Sequence, residues 1–342
     1  MPVVGFLLFA VLLVSPPSVH SWSIQTSGPD TNLRGISVAS VSSSASAASV
    51  IWACGSHGVI LRSTDAGATW TRLHVPGADL LDFRSIQAFG AASAYVMSIG
   101  TGRQSRIYRT LDGGKNWTLE YIGNRSSIFL DDLACISKIA CFALSDPVDG
   151  KFLLLATRDG KDWRELPRDR MPPALPGEGV FAASGTSLAV YRREIYFGTG
   201  GASRARVFRS ADMGRTWTVS PTPIAAANAS SGIFSIARKG KNVIILGGDY
   251  KDTGRRDRAA AYSLDGGVTW RLARCSVGGF RSAVVFLGGA TVLAVGPSGE
   301  DISQDAGASW IPVGSLNFNA VAALDSQRAW AVGPKGTIAR YQ

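Results

Sequence analysis

The chain of 342 residues holds only four cysteines, Cys54, Cys135, Cys141 and Cys275, and three histidines. No histidine lies near Cys135 and Cys141, and their spacing is not that of a zinc site, so no metal is expected. No run of Lys or Arg is long enough to mark a nucleic-acid tail, which argues against that partner despite a formal net charge of +10. The charge favours acidic partners, anionic lipid surfaces or polyanions instead. Gly198-Thr199-Gly200-Gly201 lacks the full dinucleotide fingerprint and its strand–helix setting, so no cofactor is expected. There is no second apolar run after the first twenty residues that could span a bilayer.

The first apolar run has the plan of a leader. Val3 to Val14 is almost unbroken and is stopped by Ser15-Pro16-Pro17. Val19 and Ser21 suit cleavage before Trp22, which gives a signal peptide over 1–21 and an exported chain over 22–342, periplasmic or extracellular. The segment before the run has no Lys or Arg, so an uncleaved anchor is the alternative, for which the run is short. In an oxidising compartment Cys135 and Cys141, which flank a turn between two short strands, are placed for a cross-strand disulfide whose register is open. Cys54 and Cys275 fall in distant repeats and are expected as free, largely buried thiols.

Repetition dominates the rest. Ser63-Thr64-Asp65-Ala66-Gly67-Ala68-Thr69-Trp70 returns with the same Ser/Thr-x-Asp-x-Gly-x-x-Trp pattern at Asp112–Trp117, Asp212–Trp217, Asp265–Trp270 and Asp305–Trp310. A copy one residue shorter runs from Asp159 to Trp163. The copies recur every 40 to 54 residues, and each interval holds short β-rich runs parted by Gly, Asp and Ser. Four strands per repeat of this length make the blade of a β-propeller. A seventh set after Trp310 stops three strands in, and Trp22 to Thr26 can supply the fourth. The expected fold is all-β: a single-domain, seven-bladed propeller closed by its N-terminal strand, which leaves no open sheet edge.

Each Asp can accept backbone N–H bonds inside a tight turn that its Gly permits, and each Trp can cover a blade junction. Asp65, Asp112, Asp159, Asp212, Asp265 and Asp305 are therefore read as structural, not as catalytic carboxylates, with Trp70, Trp117, Trp163, Trp217, Trp270 and Trp310 as their partners. The motif resembles the Asp box, or BNR repeat, of sialidases, sortilin-type receptors and certain glycoside hydrolases. With seven blades and short loops the chain most resembles the exported photosystem II stability/assembly factor-like propellers. That resemblance implies a non-catalytic scaffold that binds a membrane-protein assembly intermediate through a basic face. A monomer is expected.

Sites are expected on the face opposite the Asp turns. Alignment of the first strands puts Arg34, Arg84, Asp131, Gly179, Gly232, Arg281 and Asn319 around the channel mouth, with Tyr250, Arg255 and Arg256 on the same face. Three arginines at one level could bind a protein partner or an anionic ligand through a carboxylate or phosphate. They could equally pair with Asp131 or with neighbouring backbone. The enzyme alternative is a sialidase-like or other BNR-type glycoside hydrolase. Phe83-Arg84-Ser85-Ile86 and Phe280-Arg281-Ser282-Ala283 match the sialidase Phe/Tyr-Arg-Ile-Pro motif loosely and lack its Pro. Tyr250 with Glu194 would be the nucleophile pair, and Asp131, Asp132, Asp146, Asp149 and Glu178 the crowded carboxylates.

Overall fold

The computed structural model describes residues 21–25, 30–40 and 49–342. The leader expected over 1–21 lies, Ser21 apart, outside the described residues, as does most of the Ser/Ala-rich stretch between 40 and 49. Seven antiparallel four-stranded sheets follow one another around a ring. Their innermost strands are Leu33–Ser40, Asp82–Ala88, Leu130–Cys135, Leu188–Tyr191, Ser231–Lys239, Ala283–Gly288 and Ala320–Ala323, defining blades 1 to 7. Blade 7 takes its outer strand from Trp22–Gln25, which pairs with Ile338–Tyr341 from Trp22↔Tyr341 to Gln25↔Ile338. The Trp22 ring packs on Phe318 and Tyr341 at 4.8 and 5.1 Å, so closure buries aromatic surface as well as a strand edge.

Neighbouring blades share their cores. Trp52 of blade 1 is fully buried, packs with Phe83 and Val96 of blade 2, and donates its indole N–H to the Gly90 carbonyl at 3.0 Å. The Asp turns set the rims of these junctions. In the first, the Ser63 hydroxyl meets the Asp65 carboxylate at 2.7 Å and accepts the Gly67 N–H at 2.8 Å. Asp65 also accepts the backbone N–H and hydroxyl of Thr69, at 2.9 and 2.5 Å. Trp70 closes the turn by donating to the Gly67 carbonyl at 3.1 Å. The other five turns repeat the Ser/Thr-to-Asp contact. These carboxylates are spent on their own loops.

One first strand is not where the apolar pattern puts it. The apolar triplet Val180-Phe181-Ala182 reads as the inner strand of blade 4, but that strand is Leu188–Tyr191, a hairpin with Glu194–Gly198. The segment from Phe181 to Ser187 instead crosses the central channel. Ser184 Oγ donates to the Ser282 carbonyl of blade 6 at 2.7 Å, and Thr186 Oγ1 lies 2.7 Å from Ser235 Oγ of blade 5. Ser187 Oγ reaches Asp132 of blade 3, and Gly185 packs so closely on blade 2 that a Cβ there would sit 3.1 Å from the Arg84 carbonyl. Gly185 also has φ of +69°, which favours glycine. A segment of blade 4 that touches the inner strands of blades 2, 3, 5 and 6 is a plug. Hydroxyl contacts across the ring, invisible to local periodicity, override the apolar triplet.

Cys135 and Cys141 lie directly opposite each other in blade 3 and form a disulfide. Cys54 is buried as expected, but Cys275 is exposed: it sits past the short outer strand Arg271–Leu272, on the rim, not in the core.

Candidate binding site at the channel mouth

Strand register fixes which side chains ring the mouth. The residue just before the unbroken in-register run, beyond any bulge, is Arg34 in blade 1, Arg84 in blade 2 and Asp131 in blade 3. It is Ser187 in blade 4, Phe234 in blade 5, Ser282 in blade 6 and Asn319 in blade 7. Three expected members change: Ser187 replaces Gly179, Phe234 replaces Gly232, and Ser282 replaces Arg281. In blades 1, 2, 3 and 5 a bulge falls at this point, and Arg34, Arg84 and Phe234 there line the mouth, but blade 6 is regular there.

Arg281 is thereby turned inward. It is 1% exposed, and its Nε contacts Asp301 at 2.5 Å while Nη1 donates to the Phe280 carbonyl and to Ser298 Oγ. It is a buried, fully paired ion and offers nothing to a ligand. Arg84 is partly satisfied: Nη2 lies 2.6 Å from Asp82, and Nη1 donates to the plug carbonyl of Ala182 at 2.9 Å. Arg34 differs from both. Its Nη1 donates to Asn319 Oδ1 at 3.2 Å and its buried Nε, like that of Arg84, has no partner, but no carboxylate among the described residues pairs with it. Asn319 is itself anchored by donating to Asn32 and to the Leu33 carbonyl. Burial, and then the adjacent Arg84 charge, pull the Arg34 guanidinium down to about 10, with Asp82 only partly opposing them.

Asp131 does not neutralise these arginines. It is 1% exposed, and its Oδ2 has no partner. Burial first, and then Asp146 and Asp132, raise its carboxyl well above the usual range, which favours the uncharged acid. Asp132 accepts N–H bonds from Leu133 and Leu188, at 2.7 and 2.8 Å, yet burial still lifts it to about 6. Glu178 is taken by Arg206, Thr199 and the Leu175 N–H. Glu194 binds Arg209 and Arg238 on the Asp-turn side, where the neighbouring Arg193 carbonyl accepts the Met213 N–H of the blade 4 turn. Tyr250 lies at the opposite end, so the Tyr–Glu pair of a sialidase is not assembled. Among the described residues no group of three or more His, Cys, Asp or Glu could hold a metal.

The mouth encloses a cavity of about 430 Å³. Arg34, Arg84 and Asn319 line one side, and Phe181, Phe234, Phe280 and Tyr250 the other, over a floor formed by the plug at Ala182 and Ala183. Tyr250 is 46% exposed, and Arg255 and Arg256 are exposed on its loop outside the cavity. Tyr250 aside, the aromatic side escaped the sequence reading. Its signal was the match of Ile233-Phe234-Ser235 to Phe83-Arg84-Ser85, which places Phe234 at the arginine level.

No protein-family model and no curated protein matches the chain. Solved structures do. YCF48 from Cyanidioschyzon merolae aligns with a TM-score of 0.66 at 17% identity, covering 94% of this chain and 98% of that one. A structure of YCF48 bound to D1 peptide aligns at 0.64 and 14%, covering 94% and 96%. The extracellular domain of a one-component system from B. thetaiotaomicron aligns at 0.61 and 11%, covering 93% of this chain and 39% of that one. At such identities the likeness is one of fold. The chain is a seven-bladed β-propeller similar in fold to YCF48 over nearly the whole length of both.

Proposed function

We propose that this chain is an exported, non-catalytic propeller that captures a partner protein by an acidic segment seated at the channel mouth. The observation that carries the reading is Arg34: a half-buried guanidinium beside Arg84, without a carboxylate of its own. Two cations forced together in a partly desolvated cavity repel, and a carboxylate entering between them relieves the repulsion while accepting planar N–H donors. The binding of a D1 peptide by YCF48, a protein of the same fold, supports a peptide or protein as the ligand class. An oxidising compartment agrees with the Cys135–Cys141 disulfide. None of Asp131, Asp132, Asp146, Asp149, Glu178 and Glu194 lines the cavity, whereas a glycosidase needs two carboxyl groups facing its substrate, so binding is the function the site supports.

The test is capture from a cell-envelope extract with tagged wild type and with an Arg34→Glu/Arg84→Glu double variant. A protein retained by the wild type and absent from the variant, with folding unchanged by circular dichroism, is the expected result. Equal capture by both would remove the arginines from the interface.

A further inference from the structure

The aromatic half of the mouth stands apart from the main cores of the ring. Phe234, Phe280 and Ala183 form their own small cluster, apart from the cores at the blade junctions, with Phe181 packed against it. Phe181 and Phe234 stack at 3.9 Å, Phe280 meets Phe234 edge-on at 4.6 Å, and Tyr250 stands across both stacked rings at about 6 Å. Phe181 is only half-buried and Tyr250 is 46% exposed, so the cluster presents open apolar surface to the cavity. The cationic and aromatic sides meet at the plug, because Arg84 donates to the carbonyl of Ala182, the residue after Phe181.

We infer that the mouth reads two side chains of one extended peptide: an acidic residue between Arg34 and Arg84, and a large apolar residue, best an aromatic one, against Phe181 and Tyr250. This rests on the acidic-segment reading above and adds the second side chain to it. Side chains two positions apart on an extended chain point the same way, about 7 Å from each other. Arg84 and Phe181 line one cavity and are tied through the Ala182 carbonyl, so one extended chain lying in it can present a side chain to each. A volume of about 430 Å³ with a closed floor holds two or three residues and stops a chain from threading through the ring. Apolar walls with a few convergent charged groups are the usual make-up of a small recognition pocket. Aromatic side chains against aromatic walls add edge-to-face or stacked contacts to the burial itself.

Three fluorescein-labelled heptapeptides with blocked ends test the inference by fluorescence anisotropy on the full chain: one carrying Glu-Gly-Phe at its centre, one with Glu replaced by Gln, and one with Phe replaced by Ala. Loss of the aromatic ring is expected to weaken binding at least about tenfold. Tyr250→Ala, at an exposed position that the fold does not need, is expected to weaken the Phe peptide severalfold and leave the Ala peptide unchanged. If the Phe and Ala peptides bind alike while the Gln peptide is lost, the aromatic subsite is refuted and the arginine site stands. If the Gln peptide binds as well as the Glu peptide, the underlying reading falls. Free 3-phenylpropionate binding as tightly as the Glu-Gly-Phe peptide would overturn the peptide as occupant.

Discussion

Arg34 and Arg281 are the same residue type at nearly the same height in the ring, and the fold gives them opposite fates. One residue of register separates them: Arg34 is the unpaired bulge residue just before Gly35, where the unbroken pairing of its strand begins, whereas Arg281 stands two places before Ala283, the first paired residue of blade 6, and turns into that blade's core. Sequence alignment of the first strands put both on the rim, because the bulge that distinguishes the blades has no local signature. The distinction is testable through stability. Arg281→Ala leaves Asp301 buried and unpaired, and removal of one partner of a buried ion pair costs about 3–5 kcal/mol. Urea denaturation should therefore show a much lower midpoint for this variant. Arg34→Gln, which breaks no ion pair, should leave the midpoint nearly unchanged. A midpoint for Arg281→Ala equal to the wild type would mean that Arg281 is free at the rim after all.

At the scale of the element, the Asp turns and the inner strand of blade 3 oppose each other in how they respond to pH. Hydrogen bonds from the Thr69 hydroxyl, the Thr69 N–H and Ser63 hold Asp65 down at about 2, and backbone N–H bonds from Asn116 and Lys161 do the same for Asp112 and Asp159. Asp212 is also held at about 2 by Thr216 and Ser210, although burial works against it. A carboxylate lowered by folding adds stability that is present above its unfolded value near 4 and is lost as the pH falls toward 2. Asp131 and Asp132 behave the other way. Burial raises both, Asp132 to about 6, so the stability tied to their protonated forms is present below about 4 and is lost as the pH rises through 6 and beyond. The melting temperature is expected to peak near pH 4, where both contributions are present, and to fall on both sides. Asp132→Asn, which removes the buried charge, should flatten the neutral side and leave the acid side intact. A wild-type curve that rises steadily from pH 5 to 8 would contradict this assignment. The turns were legible in the sequence because each motif is local and complete within eight residues. The plug was not, because its hydroxyl partners Ser235 and Ser282 belong to other blades.

For the whole molecule, the ring itself was readable from end to end. Six motifs in phase set the blade period, and the three strands left after Trp310 required a fourth, which Trp22–Gln25 provides. What the period could not supply was the interior of the ring: which residue of each first strand faces the channel, and which segment fills it. Those choices decide the site, since they withdraw Arg281, bury Asp131, and add Phe234 and the plug residue Phe181. A formal charge of +10 spread over the chain speeds the encounter with acidic partners, but a general field cannot choose a docking point. The central claim is that Arg34 and Arg84 make that choice. Isothermal titration of the Glu-Gly-Phe heptapeptide into wild type and into an Arg34→Gln/Arg84→Gln variant tests it most directly. The variant is expected to melt at the wild-type temperature and to bind at least about thirtyfold more weakly, the loss that goes with hydrogen bonds to a charged group. Equal affinity in the two proteins would contradict it.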